Sequence, residues 1–250
     1  MSELDKLKNE MGSKPSPDGK VLRPKDAATL VIVDRTGSDP KVLMGKRRAD
    51  LAFMAGKYVF PGGRVDRTDK SVSVASDLRD SEIAKLKVGM RGLPTATRAR
   101  GLAAAAIREA FEEAGLVIGT RGEASSKTPP EGWKSFFATG YAPSLTGMTF
   151  FARAITPPGR TRRFDTRFFC VDASAITERH AINDGELSGL EWVTLEGARA
   201  LDLPRITRVV LEDLGDQLSD GSLDHGTNPV PFYYSRGGAF KRDLITADGI

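Results

Sequence analysis

The sequence predicts a mixed α/β domain, and three observations carry that prediction. β-branched apolar runs punctuate the chain from Ala27 onward, one long alanine-rich helix bears an acidic face, and a second amphipathic helix lies further along. The chain has 250 residues, 40% hydrophobic and 28% charged, which is the composition of a globular protein rather than a disordered one. No run approaches the ~20 consecutive apolar residues that cross a bilayer. Lys and Arg number 37 against 33 Asp and Glu, a net charge of +4. That mild excess suits an anionic small molecule at least as well as nucleic acid, which ranks second as a partner. Cys170 is the one cysteine, and His180 and His225 are the two histidines, so an internal disulfide and a four-ligand His/Cys zinc site are both excluded. Any metal must be held mainly by oxygen. The first residues have no apolar core or cleavage site of a secretory signal, and the expected compartment is the cytoplasm.

Residues 1–24 are rich in Gly, Ser, Pro and Lys with little periodicity, and are expected to form a flexible leader. Residues 25–245 are then expected to make a single domain. AATLVIVDR and KVLMGKR, joined by the turn-forming TGSDP, predict a hairpin. The next run ends in a break at Pro61, Gly62 and Gly63, where a strand passes into a tight loop. Residues 69–96 are polar, contain the helical stretch SDLRDSEIAKL, and are expected to form an inserted helical flap, either a lid, a homodimer contact or a solvated decoration. TATRARGLAAAAIREAFEEAG has a Thr available as N-cap, four alanines from Ala103 to Ala106, and Gly115 at the stop position of a helix. Residues 117–134 look loop-like. TGMTFFARAIT and TRFFCVDA predict strands around an arginine-rich bend, and a polar turn then leads to LEWVTL. EGARALDLPRITRVVLEDLGDQL shows helical spacing and is expected to cover the sheet.

On the alanine-rich helix, Glu109, Glu112 and Glu113 stand at i, i+3 and i+4, so their carboxylates share one face. An acidic helix face is commonly just solvated. Here, however, Arg108 precedes the first Glu, Gly115 follows the pair, and the Pro61-Gly62-Gly63 loop ends a strand where backbone can approach an anion. Three clustered carboxylates repel one another unless a hard divalent cation, Mg²⁺ or Mn²⁺, shares the face.

This constellation resembles the Nudix hydrolases, whose box places a glycine before R-E-U-x-E-E-x-G-U, U being apolar. Residues 108–116 read REAFEEAGL, with Ala110 and Leu116 at apolar positions, and FPGG supplies the glycine half through Gly62 and Gly63. The family's interval from glycine to Arg is 13 residues, whereas residues 64–107 make 44 here. Counted back from Arg108, the box's upstream acid would fall at Arg100. The resemblance implies a Nudix-type α/β/α sandwich with a mixed β-sheet. It also implies metal ligation by Glu109, Glu112 and Glu113, a carboxylate-orienting salt bridge from Arg108, and a bend permitted by Gly63. The insertion, with FMAGKYVFPGG and RRFDTRFF, resembles the acyl-coenzyme A diphosphatase branch. Of that branch's extra upstream motif Gly56 is matched, while the position of its Arg is taken by Ala52, near Arg47 and Arg48.

The function so implied is metal-dependent hydrolysis of a diphosphate bond in a nucleoside diphosphate-linked small molecule, coenzyme A or acyl-coenzyme A first. ADP-ribose, NADH and nucleotide sugars are the rival substrates, and a non-catalytic nucleotide- or RNA-binding module is the rival class. Glu186, in NDGELSG, is the candidate general base, with an ordinary turn acid as its alternative. Residues 153–167 hold five arginines and one aspartate, so Arg160, Arg162 and Arg163 are candidates to hold a substrate phosphate. Arg47, Arg48 and Lys57 form a second basic group beside the glycines. Phe53, Tyr58 and Phe150 are candidates to stack on a base, with core packing as the alternative. Cys170, in an apolar run, is expected to be a buried inert thiol.

Overall fold

The computed structural model of the chain describes residues 2–10, 22–50, 55–122, 128–181 and 185–250. In order these form α1 (Glu3–Glu10), β1 (Lys25–Asp34), β2 (Lys41–Arg47), β3 (Tyr58–Val59), β4 (Gly62–Arg64), α2 (Asp80–Lys87) and α3 (Ala96–Ala114). There follow β5 (Leu116–Arg121), α4 (Lys134–Phe137), β6 (Tyr141–Pro143), β7 (Thr149–Ile155), β8 (Phe164–Asp172), β9 (Ile176–Arg179) and β10 (Leu187–Thr194). The last elements are α5 (Leu195–Ala200), α6 (Arg205–Ser219), α7 (Ser222–His225), β11 (Val230–Arg236) and β12 (Ala239–Ile245).

The main sheet runs β10-β2-β1-β8-β7-β11-β12, with β3 added to β2 and β4 to β1. It is mixed: β1 lies parallel to β8, and β7 parallel to β11, while β1 pairs antiparallel with both β2 and β4. β1 is buried on both faces, and its alternation assigns each residue to a layer. Ala28, Leu30 and Ile32 join the core under α3, whereas Val31 and Val33 join the core under α6. Two helical layers therefore enclose the sheet, the α/β/α sandwich expected from the sequence. A small sheet, β6-β5-β9, flanks it.

α3 lies close to the sheet because Ala103, Ala104, Ala105 and Ala106 are fully buried and keep the helix surface thin. Thr95 accepts from the Arg98 N–H as N-cap, and Gly115 closes the helix in the left-handed region at φ 66°. On the opposite face, α6 buries Val209, Val210, Leu214 and Gln217 at helical spacing.

Three expectations are corrected. First, residues 3–10 of the expected leader form α1, capped by Ser2 and packed on α6 with Leu7 only 3% exposed; residues 11–21 lie outside the described residues. Second, of the three readings of the 69–96 insertion, the solvated decoration is overturned. Leu78, Ile83, Leu86 and Met90 belong to the α3 core, so the charged letters of SDLRDSEIAKL hide a helical apolar stripe. Within it Glu82 and Lys85 pair at 3.0 Å, fully buried; Lys85 also donates to Asn228 Oδ1 at 2.7 Å, and Glu82 accepts from the Phe150 N–H at 2.8 Å. Third, residues 117–134 include β5, a central strand of the small sheet. Beyond these, β11 and β12 follow the covering helix, joined at Gly237 and Gly238, both at positive φ as a tight hairpin requires.

Tyr233 of β11 donates to Asp213 of α6 at 2.8 Å, and burial pushes the Asp213 carboxyl up to about 6. The shift is upward, so the native state holds this proton between roughly pH 4 and 6 while the unfolded chain gives it up. Stability should therefore be greater at pH 4 than at pH 7 by this contribution, worth at most about 3 kcal/mol. Comparing Asp213→Asn with the parent by urea unfolding at both pH values should show that part of the pH slope vanish. The buried pair in α2 gives a second expectation: Lys85→Met should destabilise by about 2–4 kcal/mol, since buried Glu82 is left with only Arg79, at 3.4 Å, to answer its charge. A change below about 0.5 kcal/mol in urea unfolding would return the insertion to the status of a surface decoration.

Candidate active site

Residues on α3, β4, β2 and the turn after β4 meet at one point. Arg108, 4% exposed, is the hub. Its Nε and Nη2 donate to the two oxygens of Asp69 at 2.9 and 3.1 Å, its Nη1 lies 2.8 Å from Glu112 and 2.9 Å from Glu109, and its Nη2 also reaches the Arg64 carbonyl at 2.9 Å. Asp69 is itself buried and accepts from the Trp133 indole N–H at 2.9 Å and from the Asp66 N–H at 2.7 Å. Burial works against the Arg108 charge, but the Asp69 hydrogen bonds and the surrounding carboxylates outweigh it and hold the guanidinium well above its usual range.

Asp69 was not among the residues singled out from the sequence, and a signal for it existed. Counting back from Arg108 crosses the insertion and lands on Arg100, which pairs instead with Asp77 at 2.6 Å. Counting forward from Gly63 passes residues 64–68 and lands on Asp69, the box's spacing on that side. The insertion lies between this acid and α3, so the upstream acid is present.

The two glycines are needed for space, not for a bend, because neither has positive φ. A Cβ on Gly62 would stand 2.6 Å from the Ala28 carbonyl oxygen and 2.7 Å from the Thr29 Cα, inside the β1–β4 pairing. A Cβ on Gly63 would stand 2.5 Å from the Glu109 carboxylate. Bare backbone thus faces the acidic helix, and the Gly62 N–H donates to Glu113 at 2.9 Å.

Burial raises all three helix carboxyls: Glu109 to about 7, Glu113 to about 8, and Glu112 in the same direction. Like charge adds to this at Glu109 through Glu112, and at Glu113 through Glu109 and Glu186, while Arg108 opposes it at Glu109 and the Gly62 hydrogen bond opposes it at Glu113. Arg47 spans two acids, with Glu113 at 3.8 Å and Glu186 at 2.8 Å. Glu186 is half exposed and stands at the lip of the site.

Five carboxylates thus face two guanidinium groups. The excess of negative oxygen in a largely buried place suits a hard divalent cation in kind and in charge. Glu109 and Glu112 are drawn onto Arg108 in this arrangement, and among the described residues no three acidic, His or Cys side chains converge on a single point. The fit lies in the chemistry of the donors.

The acids are among the residues that line a cavity of about 1460 Å³ on the α6 face of the sheet. Gly62, Gly63, Glu109, Glu112, Glu113 and Glu186 line it, and so do Arg160, Arg162 and Arg205 with Lys6 and Leu7 of α1. Arg48 is not brought to this cavity; it forks onto Asp50 at 2.8 and 3.1 Å. Neither is Arg163, which donates to the carbonyls of Thr156 and Leu22. Two further arginines of the basic segment are structural. Arg153 and Arg167 lie buried around Asp165, at 2.8 and 3.1 Å. Phe150 is core and Tyr58 is half buried on β3, whereas Phe53 falls outside the described residues. Cys170 is buried, and burial pushes its thiol up to about 12, as expected of an inert one.

The fold is that of the Nudix proteins: a Nudix hydrolase from Alicyclobacillus acidocaldarius superposes with a TM-score of 0.59 over 81% of this chain and 96% of its own, at 24% identity. Two curated relatives lead to the same class. "Uncharacterized Nudix hydrolase NudL" of Cronobacter sakazakii is 41% identical over 69 residues, 28% of this chain and 35% of that protein. "Putative nudix hydrolase 7" of Caenorhabditis elegans is 28% identical over 184 residues, 68% of this chain and 51% of that protein. The chain therefore spans about a third to a half of the length of the curated relatives it matches. No family model matches it. The relatives' names thus agree with the Nudix fold of the chain. No helix among the described residues is long and apolar enough to cross a membrane.

Asp69 provides the test of this geometry. Asp69→Ala should destabilise the protein by about 3 kcal/mol or more in urea unfolding, because Arg108 and the Trp133 N–H lose a buried acceptor. Asp66→Ala, three residues away and exposed, should change stability by less than about 0.5 kcal/mol.

Proposed function

We propose that the chain hydrolyses a diphosphate bond in a nucleoside diphosphate-linked small molecule, coenzyme A or an acyl-coenzyme A first, with Mg²⁺ or Mn²⁺ as cofactor. The observation that carries this reading is a single cavity of about 1460 Å³ lined both by the helix carboxylates and by Arg160, Arg162 and Arg205. A diphosphate needs charge neutralised at the bond that breaks and cations for its remaining phosphates, and the cavity offers both. Glu109, Glu112 and Glu113 would hold the cation. Bound there, it would neutralise phosphate charge and make water a stronger nucleophile at neutral pH.

The protein's own groups do the positioning. Arg108 keeps Glu109 and Glu112 side by side, and Asp69 keeps Arg108 from collapsing onto them. Gly62 and Gly63 present backbone without side chains, so a phosphate can approach the acidic helix closely. Arg47 stands between Glu113 and Glu186 and fixes the lip of the cavity, a role different from the phosphate contact expected of it. Glu186 is the proposed general base, since its half-exposed carboxylate borders the cavity and can take a proton from water. Arg160 and Arg162 are proposed to receive the phosphate remote from the bond that breaks, which in coenzyme A is the 3′-phosphate.

The test is incubation of the purified protein with Mg²⁺ or Mn²⁺ and a panel of acyl-coenzyme A, NADH, ADP-ribose and UDP-glucose, followed by chromatography of the products. Release of 3′,5′-ADP confined to coenzyme A species supports the proposal in full. Cleavage of another panel member retains the chemistry and removes the coenzyme A assignment, and silence with either metal overturns the enzyme. Glu112→Gln should lower kcat more than tenfold while leaving the unfolding transition in place, because Glu112 is 44% exposed and its loss disturbs no core. An unchanged kcat would remove Glu112 from the cation site.

A further inference from the structure

A second cavity, of about 370 Å³, lies between the start of β1, the segment that follows β4 and the first turns of α3. None of Glu109, Glu112 and Glu113 lines it, and Arg64 alone borders both cavities. Its apolar lining comes from Val65, Met90 and Leu102, the last two buried at 7% and 4% exposure. Around this lining stand four exposed cations, Lys25, Arg64, Arg67 and Lys70. Among the described residues, none of the four engages another through its side chain.

Four like charges gathered around one hollow repel one another, and acids nearby would ordinarily be expected to answer them. Two of the three acids in reach are already engaged. Asp26 accepts from Arg167 at 2.7 Å and lies 3.8 Å from Arg98, and Asp69 is spent on Arg108. Arg98, a fifth cation of the lining, is tied to the carbonyls of Arg91 and Leu93 at 2.7 Å. Asp66 alone among the lining acids has its carboxylate uncommitted, so the pocket keeps a surplus of positive charge over an apolar floor.

We propose that this pocket binds a phosphorylated small molecule carrying a flat ring. The phosphoryl group is taken by Arg64, Arg67, Lys70 and Lys25, and the ring lies over Val65, Met90 and Leu102. A dianion with three peripheral oxygens matches several separate donors better than a carboxylate does, and guanidinium forks are suited to it. The volume falls at the small end of ligand pockets, about 300–1,000 Å³, which suits a mononucleotide rather than a dinucleotide. The site does not depend on the proposed hydrolysis, because it shares no carboxylate with it.

Met90 supplies a local reporter. The full chain is labelled with ¹³C-methyl methionine, the Met90 signal is assigned with Met90→Leu, and inorganic phosphate or adenosine 3′,5′-bisphosphate is added without divalent cations. Saturable movement of the Met90 signal by the bisphosphate is expected, with Met44, in the core on the other face of the sheet, unmoved. Lys25→Ala/Arg67→Ala/Lys70→Ala, three exposed changes, should weaken that binding at least tenfold with the unfolding transition retained. Inorganic phosphate should move the same signal more weakly. A still Met90 signal, or equal affinity in the triple variant, overturns the site. Equal affinity for phosphate and bisphosphate overturns the part assigned to the ring.

Discussion

The Arg108 guanidinium is the contact on which the site's geometry depends. It is nearly buried, yet its donors face Asp69, Glu109, Glu112 and the Arg64 carbonyl, which come from a turn, a helix and a strand. A single planar group with fixed donor directions thus sets the distance between α3 and β4 and the spread of the carboxylates. Burial is tolerable only because the partners are charged and the bonds short. Burial of the carboxyls raises Glu109 and Glu113, and Arg108 opposes that rise at Glu109, so the group that orders the site also favours a charged carboxylate beside it.

Much of this centre was legible because it is local in the chain. The i, i+3, i+4 spacing of Glu109, Glu112 and Glu113, the N-cap at Thr95 and the stop at Gly115 are all properties of one helix. What escaped depends on contacts distant in sequence. Asp69 meets Arg108 across 39 positions, so it is invisible to a count made from the helix. The insertion looked solvated because its charges stand next to its apolar residues in the sequence, while in space Glu82 and Lys85 neutralise one another inside the core. The arginine-rich segment misled in the same way: Arg153 and Arg167 answer Asp165, and only part of the run reaches the cavity. The hairpin at Gly237 and Gly238 is legible in its turn glycines and aromatic strands.

The glycines show how one letter can have two physical causes. Gly62 is required by backbone, since the neighbouring strand leaves no room for a Cβ, whereas Gly63 is required by a carboxylate. The first reason belongs to the fold and the second to the site. An alanine at Gly62 would push β4 off β1, but one at Gly63 would meet the movable end of a side chain and displace only Glu109. A sequence pattern that asks for two adjacent glycines therefore combines a packing constraint with a chemical one.

The length of the insertion follows from the same contact. Closing a longer loop adds entropy only as the logarithm of its length, so residues between Asp69 and α3 weaken the Arg108 contact far less than their number suggests. Here the inserted residues also bury Leu78, Ile83, Leu86 and Met90 against α3, which offsets that entropy and ties the segment to the helix it precedes. Gly101 completes the arrangement: a Cβ there would stand 2.9 Å from the Lys70 Cα, so the helix can lie directly on the turn that carries Asp69. The box is interrupted in sequence but continuous in space, because what joins its halves is a buried ion pair and a close helix–turn contact, neither of which depends on how much chain lies between them.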